Sequence, residues 1–259
     1  MALITFMSDF GEEDHYVAAV KARMLKINPS LQIIDISHHI NPFDIAHGAF
    51  VLKSIFNDFP EGTVHLVAVN CVSKADERYI ILELKDHYFV GPDNGILSLI
   101  CEEEPSLIAE IMHNDLKTTV SPARDILSRA AAMLASGSDI NEIGNICDDY
   151  FRLLGRQLKA TKKQIAGNVV QVDHFGNLIT NIEQDIFVML HKERPFHIKF
   201  GKEVLRKIHR TYASVEPGEC FVVFNSLGLL EIGINKGNAS ELLGLGYDSP
   251  VFINFEQDT

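Results

Sequence analysis

Polar residues follow the first apolar segment of the chain in a pattern that suits ligand binding. Ser8-Asp9-Phe10-Gly11 comes directly after the strand-like run Leu3–Met7. In an open α/β sheet, ligands bind beyond the carboxyl ends of the strands. A carboxylate placed there, that of Asp9, can accept two charge-assisted hydrogen bonds from a ribose diol. The alternative is that Ser8 or Asp9 caps a helix that begins near Asp14.

The next two apolar segments also end in polar residues. Asn41-Pro42-Phe43-Asp44 follows the second, and Phe43 could offer its ring to a purine or act as a hydrophobic staple on the next helix. Asn70 follows the third segment, and Arg78 comes a short loop later. The Asn70 amide can orient a ligand but cannot act as a base at neutral pH, and an asparagine here also suits a turn.

Further turn-like clusters complete the candidate set. Pro92-Asp93-Asn94-Gly95 either forms a tight turn or directs two polar side chains at a ligand. Asp173-His174-Phe175-Gly176-Asn177 suits an amino group and a purine edge, or forms a β-turn with Gly176 at positive φ. Asn225-Ser226-Leu227-Gly228 and Asn235–Ala239 could hold a carboxylate through backbone N–H groups and Ser226.

Several kinds of site have no support in the sequence. The chain lacks the glycine-rich phosphate-binding motifs and GxSxG, and no Ser-His-Asp or Cys-His pattern emerges. His38 and His39 are adjacent, so on a strand they would point to opposite faces, and no metal site is expected. The four cysteines form no CxxC pair, which favours separate buried thiols in a reducing compartment.

The elements that must position these residues change in character along the chain. Strand-like and helix-like segments alternate in the first half, with helices expected over His15–Ile27, Asp44–Phe59 and Arg124–Ser136 and a buried strand over Leu31–Ile36. This alternation predicts an α/β domain, residues 1–160, with a mainly parallel sheet covered on both faces. Short strand candidates follow, Ile208–Tyr212 among them, and predict a smaller all-β, barrel-like domain over residues 161–259.

Composition narrows the class of protein further. The 259 residues are 46% hydrophobic and carry a net charge of −12, from 35 acidic and 23 basic residues. Such a surface repels nucleic-acid phosphate, so no nucleic-acid partner is expected. No apolar run approaches ~20 residues, so no membrane span is expected. The amino terminus has no basic stretch before its apolar run, which indicates a cytoplasmic protein without a signal peptide.

Taken together, the motifs resemble those of the S-adenosyl-L-methionine hydroxide adenosyltransferases, a family that also includes fluorinases and chlorinases. The resemblance covers nearly the whole chain in the right order. The segments that carry it are MSDFG at 7–11, DISHHINPFDIAHGAF at 35–50, FPEGTVHL at 59–66, PDNGIL at 92–97, VDHFGNLITNI at 172–182 and NSLGLLEIGINKGNA at 225–239.

The resemblance implies a fold, an assembly and a reaction. It implies a homotrimer in which the amino-terminal domain of one subunit meets the carboxyl-terminal domain of its neighbour. S-adenosylmethionine would bind there as a small-molecule substrate, and hydroxide or a halide would attack C5′ of its ribose. The products would be adenosine, or a halogenated adenosine, and methionine. No metal and no further cofactor would take part.

Matching motifs also imply roles for single residues. Asp9 would hold the ribose hydroxyls, and Phe43 would lie against the adenosine. Asp173 would face the methionine amino group, Phe175 and Asn177 would contact adenine, and Ser226 would hold the methionine carboxylate. The remaining members of the implied substrate site are Asp93, Asn94, Asn225 and Ala239.

The chain departs from the family pattern at the residues that handle water. Hydrolases of the family usually carry an Asp after the third strand, and Asn70 stands in its place. The family His corresponds to Pro122, while Arg78 lies near the expected position of the family Arg. Asn70 and Arg78 are therefore the catalytic candidates. Three hypotheses remain: a hydrolase with altered water handling, which we prefer, a halogenase, and a binding protein without turnover.

Overall fold

The computed structural model describes residues 2–73, 77–113 and 119–256. Contacts between Cα atoms divide the chain into two compact units, Met1–Leu154 and Gly155–Thr259. The prediction that residues 1–160 and 161–259 form domains with different functions remains a prediction. Within the described residues, no helix combines the length and apolar character needed to cross a membrane.

The first unit is built on a seven-stranded sheet. Its strands are β1 (Leu3–Ser8), β2 (Gln32–Ser37), β3 (Val64–Ala68), β4 (Tyr79–Leu84), β5 (His87–Pro92), β6 (Leu107–Ile111) and β7 (Gly144–Ile146). They lie in the order β2-β1-β3-β5-β4-β6-β7. The pairs within β2-β1-β3-β5 are parallel, and the remaining pairs are antiparallel.

The sheet is therefore mixed, and the predicted mainly parallel sheet describes only half of it. The reason lies in the link between β4 and β5. Lys85 and Asp86 both have positive φ, +51° and +59°. Two successive left-handed residues form the tight turn that matches the twist of a hairpin, so β4 and β5 must pair antiparallel.

Helices cover both faces of this sheet, as predicted. They are α1 (Tyr16–Ile27), α2 (Ile45–Lys53), α3 (Ile96–Ile100), α4 (Ser128–Ala135) and α5 (Ile140–Ile143). α1 and α4 share a core with Ile4 and Phe6, while α2 and α3 share one with Val67 on the opposite face. A short 3₁₀ turn, Phe56–Asp58, follows α2, so the single helix expected over Asp44–Phe59 is wrong in its second half. A π-helical turn, Ala123–Leu127, leads into α4.

β2 differs from the buried strand that its apolar run predicts. It lies at the edge of the sheet and pairs only with β1. Ile34 in its middle is 45% exposed. The central strand of the parallel half is β1, between β2 and β3, and all three end at the same edge of the sheet. That edge is where Asp9, the loop after β2 and Asn70 come together.

The second unit holds eight antiparallel strands and two helices. The strands are β8 (Lys159–Ala160), β9 (Gln164–Val172), β10 (Leu178–Glu183), β11 (Phe196–Phe200), β12 (Glu203–Leu205), β13 (Cys220–Phe224), β14 (Leu229–Ile234) and β15 (Pro250–Phe255). Their order is β12-β11-β15-β9-β10-β14-β13, with β8 beside β9. The sheet is nearly barrel-shaped, and strands from both of its ends enclose one core.

Two predictions for this unit need correction. It is not all-β, because α6 (Gln184–His191) and α7 (Ala239–Leu243) interrupt the strands. Ile208–Tyr212 is not a strand either. Its backbone meets β13 in a single hydrogen bond, from His209 N to Val222 O over 2.6 Å, and then turns away. One bond does not make a ladder, so the segment is an irregular loop.

Candidate functional site

The carboxylate of Asp9 joins three segments at the edge of the first sheet. Its Oδ2 accepts hydrogen bonds from the backbone N–H of Phe43 at 2.9 Å and of Asn70 at 3.0 Å. The alternative role as a helix cap is wrong, because α1 begins at Tyr16 and its N-cap residue is His15. Oδ1 accepts no hydrogen bond from the residues the structure describes, so half of a preorganised carboxylate stays available to a ligand.

Both residues that donate to Asp9 have left-handed backbone. φ is +66° at Phe43 and +49° at Asn70. Such a conformation costs a residue other than glycine ~1–3 kcal/mol and is concentrated at functional sites. The Phe43 ring is 67% exposed, which does not fit the alternative of a staple packed on α2. The fold therefore holds an uncovered aromatic ring beside a carboxylate that binds both strained residues.

A buried Ser8–His38 pair, flanked by the exposed Asp35, supports the Asp9 segment, although no such pattern emerges from the sequence. Ser8 Oγ lies 2.7 Å from His38 Nδ1, and both side chains are buried. His38 Nε2 lies 3.2 Å from Asp35 Oδ1, as a charge contact rather than an aligned hydrogen bond. The backbone of Gly11 also donates to His38 O over 2.8 Å. These contacts fix the chain on both sides of Asp9.

The chemistry of this pair points to positioning rather than to nucleophilic attack. Burial lowers the pKa of His38, and the nearby Asp35 carboxylate opposes that shift. Ser8 has no exposed surface, so its hydroxyl cannot reach a substrate in this conformation. Ser8 ends β1 and His38 directly follows β2, its parallel neighbour. Both residues thus lie at the carboxyl ends of neighbouring parallel strands, and this shared position is the signal by which the pair could have been predicted from the sequence.

The Asn94 side chain closes the same edge from the side of β5. Its Nδ2 donates to Val69 O at 3.0 Å, and its Oδ1 accepts from Ile96 N at 3.1 Å. Gly95, with φ of +94°, then starts α3. The cluster is thus a strand-to-helix turn, and the hairpin that Asn-Gly favours is absent at this place. Asn94 ties the Val69–Asn70 backbone to the start of α3.

Arg78 lies in a cluster of carboxylates. Its guanidinium nitrogens lie 3.5 Å from Asp93, 3.2 Å from Glu110 and 3.1 Å from Asp149. Burial raises the pKa of Asp93, while the Phe151 N–H and Arg78 oppose the shift. A cavity of about 390 Å³ opens here, lined by Glu77, Arg78, Asp93, Asp149, Tyr150 and Phe151.

The two positions where the chain departs from its family pattern come close together through Cys71. Burial raises the pKa of the Cys71 thiol to about 12, and the Ala123 backbone opposes that shift through a hydrogen bond. Asn70 and Pro122 are the sequence neighbours of these two residues. Neither Asn70 nor Pro122 lines the cavity at Arg78. The catalytic roles of Asn70 and Arg78 remain predictions.

In the second unit, Asp173 organises the turn that follows β9. Its Oδ1 accepts from Phe175 N at 2.9 Å and from Asn177 N at 2.8 Å, and its Oδ2 accepts from Asn177 Nδ2 at 3.1 Å. Gly176 has φ of +82°, so the β-turn alternative describes the backbone correctly. The turn presents the Phe175 ring, which is 75% exposed. A carboxylate and an uncovered aromatic ring thus recur in this unit.

Two further turns lie close to Asp173. Asn225 Oδ1 accepts from Leu227 N at 3.0 Å and from Leu229 N at 3.1 Å, which leaves Ser226 exposed on the turn. Ser240 N donates to Gly176 O at 2.9 Å and so joins the start of α7 to the Asp173 turn. Ala239 itself is fully buried, so its side chain has no exposed surface to offer a ligand in this conformation.

Sequence reasoning missed one residue that lies among these turns. Glu231 in β14 is buried, and its Oε2 accepts from Asn225 Nδ2 at 3.0 Å. Burial raises the pKa of Tyr212, and the charge of Glu231 adds to that shift. Leu230-Glu231-Ile232 looks like part of a core strand. Because alternate residues of a strand point to opposite faces, the sequence could have indicated that Glu231 faces away from the core.

Comparison with known proteins decides the family. The family description "SAM hydroxide adenosyltransferase N-terminal domain" matches residues 4–144, and "SAM hydroxide adenosyltransferase C-terminal domain" matches residues 167–252. The chain belongs to the SAM hydroxide adenosyltransferase family. The resemblance found in the sequence motifs is thereby confirmed.

Individual proteins resemble the chain over most of its length. The (R)-S-adenosyl-L-methionine hydrolase of Methanocaldococcus jannaschii is 32% identical and aligns over 95% of this chain and 93% of its own. A fluorinase of an Actinoplanes species is 28% identical over 70% of this chain and 72% of its own. An uncharacterized conserved protein from Thermotoga maritima has a crystal structure that matches with a TM-score of 0.88 and 34% identity, covering 96% and 99% of the two chains.

Proposed function

We propose that the protein catalyses attack of water or hydroxide on ribose C5′ of S-adenosyl-L-methionine, giving adenosine and L-methionine. The observation that carries the proposal is the Asp9 carboxylate, which is held by Phe43 N and Asn70 N at the end of β1 and keeps Oδ1 available. A fixed carboxylate suits the two hydroxyls of a ribose. The M. jannaschii relative, 32% identical, bears the name of this hydrolase.

The reaction asks little covalent chemistry of the protein. A C5′–O bond forms as the C5′–S bond breaks, and the bonding electrons pass to sulfur, which leaves as the neutral thioether of methionine. The attacking water loses one proton in the process. Because the sulfonium is already a good leaving group, the protein accelerates the reaction mainly by aligning the nucleophile with C5′ and by removing bulk water from it. This chemistry requires no metal and no further cofactor.

The two units would contribute different parts of the substrate site. In the first, Asp9 would bind the ribose and Phe43 would lie against the adenosine. In the second, Asp173 would face the ammonium group and Phe175 and Asn177 the adenine, while the exposed Ser226 hydroxyl would meet the carboxylate. We propose a homotrimer in which the second unit completes the site of a neighbouring subunit.

Asn70 supports a second candidate, a SAM-dependent halogenase. A halide needs no deprotonation, and the amide of Asn70 cannot act as a base. The similarity to a fluorinase is in keeping with this alternative. The third possibility is a protein that binds S-adenosylmethionine without converting it, since loss of a positioned acid–base group costs ~10²–10⁴-fold in rate.

One experiment separates the three functions. Purified protein is incubated with S-adenosylmethionine in heavy-oxygen water, with and without chloride, and the products are separated by chromatography and weighed by mass spectrometry. We expect equal amounts of methionine and of adenosine carrying the heavy oxygen at its 5′ position. A 5′-chloroadenosine product would instead establish the halogenase. Binding heat without any product would establish the binding protein.

A further inference from the structure

A buried carboxylate lies on the outer face of the second sheet, where a polar side chain would ordinarily be solvated. Leu230 and Ile232 in β14 point into the core, so Glu231 between them points outward. Yet Glu231 is only 3% exposed. Burying a carboxylate is costly unless it is paired, so this position needs a reason other than packing.

The reason lies in what Glu231 holds. Its Oε2 accepts hydrogen bonds from Asn225 Nδ2 at 3.0 Å and from Tyr212 OH at 3.4 Å. Its Oε1 is buried and has no hydrogen-bond partner among the described residues. Burial raises the pKa of Glu231, Asn225 opposes that shift, and the charge of Asp173 adds to it.

Asn225 is fixed at both ends of its amide. Nδ2 is held by Glu231, and Oδ1 closes the turn by accepting from Leu227 N and Leu229 N. If the acceptor at Glu231 were lost, Nδ2 of Asn225 would lose its partner, and only the bonds to Oδ1 would hold the amide. The turn that carries Ser226 would then be held less rigidly.

Asn177 is the second amide near Glu231. Its Nδ2 donates to Asp173, and the amide lies close enough to Glu231 to favour the charged form of that carboxylate. Gly233, two residues along the same face of β14, makes this approach possible. A Cβ at position 233 would lie 2.6 Å from Asn177 Oδ1.

We propose that Glu231 is a positioning residue, whose carboxylate fixes the side-chain amide of Asn225 and, through it, the turn that carries Ser226. Its connection to substrate binding rests on the function proposed above. A purely structural role is a poor explanation, because an apolar residue of similar volume commonly stabilises a buried position more than an ion does.

Three variants test the proposal by kinetics. Glu231→Met keeps the volume and removes the acceptor, whereas Glu231→Gln keeps an oxygen that can accept from Asn225. Thr180→Val is the matched control, because buried Thr180 bonds Leu230 O over 2.8 Å in the neighbouring strand without touching the three turns. We expect Glu231→Met to raise the KM for S-adenosylmethionine about tenfold with kcat within about threefold, and Glu231→Gln to restore most of it. Equal changes in Glu231→Met and Thr180→Val would overturn the proposal.

Hydrogen exchange tests the proposal without substrate. With isotope-labelled asparagine, the side-chain N–H exchange of Asn225 is measured by NMR in the same proteins. We expect exchange at least about tenfold faster in Glu231→Met and unchanged in Thr180→Val. Unchanged exchange in Glu231→Met would overturn the proposal. If the wild type neither binds nor converts S-adenosylmethionine, the proposed function fails, and the exchange data still decide the role of Glu231.

Discussion

The backbone N–H of Asn70 lies 3.0 Å from Oδ2 of Asp9. The carboxylate at the end of β1 thereby holds the loop after β3 in a left-handed conformation, and it holds Phe43 in the same way. This edge of the first sheet thus depends on a single side chain, which fixes the backbone through Oδ2 and would bind a ligand through Oδ1 in the proposed function.

Substitution of Asp9→Asn should separate these two tasks. Asparagine keeps one oxygen for the backbone N–H groups, so we expect the free energy of unfolding to fall by less than about 2 kcal/mol. It loses the charge that strengthens hydrogen bonds to the ribose, so kcat/KM should fall about 100-fold. Chemical denaturation and product chromatography measure the two effects. The control is Asp139→Ala, which removes the N-cap of α5. It should lower the free energy of unfolding by about 1 kcal/mol and leave kcat/KM unchanged. A similar loss of kcat/KM in both variants would contradict the role of Asp9.

Phe43→Gly should weaken binding without weakening the fold. Glycine adopts positive φ without strain, and the lost ring is 67% exposed, so stability should stay the same or rise by at most about 1 kcal/mol. Adenosine affinity, measured by calorimetry, should fall about tenfold because a stacking surface is lost. Phe56→Ala, at a buried ring, should instead cost ~3–5 kcal/mol. Unchanged adenosine affinity in Phe43→Gly would show that the ring is not part of the site.

The double variant Asn70→Asp with Pro122→His should increase turnover. It restores the residue types that the family resemblance places at these positions, and aspartate tolerates the left-handed backbone of residue 70. We expect the rate of adenosine formation to rise about 100-fold, in keeping with the value of a positioned acid–base pair. Asn57→Asp, an exposed exchange of the same kind, serves as the control. A rate equal to that of the wild type would mean that water is handled by other groups.

The buried His65 predicts acid sensitivity. Its Nδ1 lies 2.7 Å from Thr5 Oγ1 and its Nε2 lies 3.1 Å from His87 Nδ1, and burial lowers its pKa to about 3. Between pH 6.5 and 3 the unfolded chain binds a proton that native His65 does not. Stability is therefore lost as the pH falls below 6.5, by about 2 kcal/mol at pH 5.

Denaturation at several pH values tests this origin. The slope of unfolding free energy against pH, averaged between 5 and 6.5, should become shallower in His65→Phe by about 1 kcal/mol per pH unit. His39→Gln, at an exposed histidine, should keep the wild-type slope. An unaltered slope in His65→Phe would assign the acid sensitivity to other groups.

The sequence predicts most elements because their signals are local. The strands Tyr79–Leu84, Phe196–Phe200 and Leu229–Ile234 have the expected bounds, since each alternates or runs apolar between turn residues. The sequence marks a turn at Lys85-Asp86 but not the antiparallel pairing of the strands around it, because this left-handed pair carries neither Gly nor Asn. The helix α6 was missed because its eight residues include Ile186 and Val188, whose branched side chains favour strands.

The candidate site residues that directly follow strands could be predicted from the sequence. The contacts that depend on how the strands pair could not. Asp9, Phe43 and Asn70 could be expected together, because parallel strands end at one edge. The Ser8–His38 contact joins positions 30 residues apart in sequence, and the Glu231–Asn225 bond joins a turn to the strand that follows it. Their chemistry depends on the register of the strands, which no single motif encodes.

The Ser8–His38 bond has a consequence for the evolution of the chain. Both side chains are enclosed, so replacing one by an apolar residue leaves the other with an unsatisfied polar group and costs ~1–3 kcal/mol. Replacing both together by apolar groups of the same shape can be nearly neutral. Positions 8 and 38 should therefore covary among descendants of this gene, because each intermediate with a single exchange is less fit than either end point.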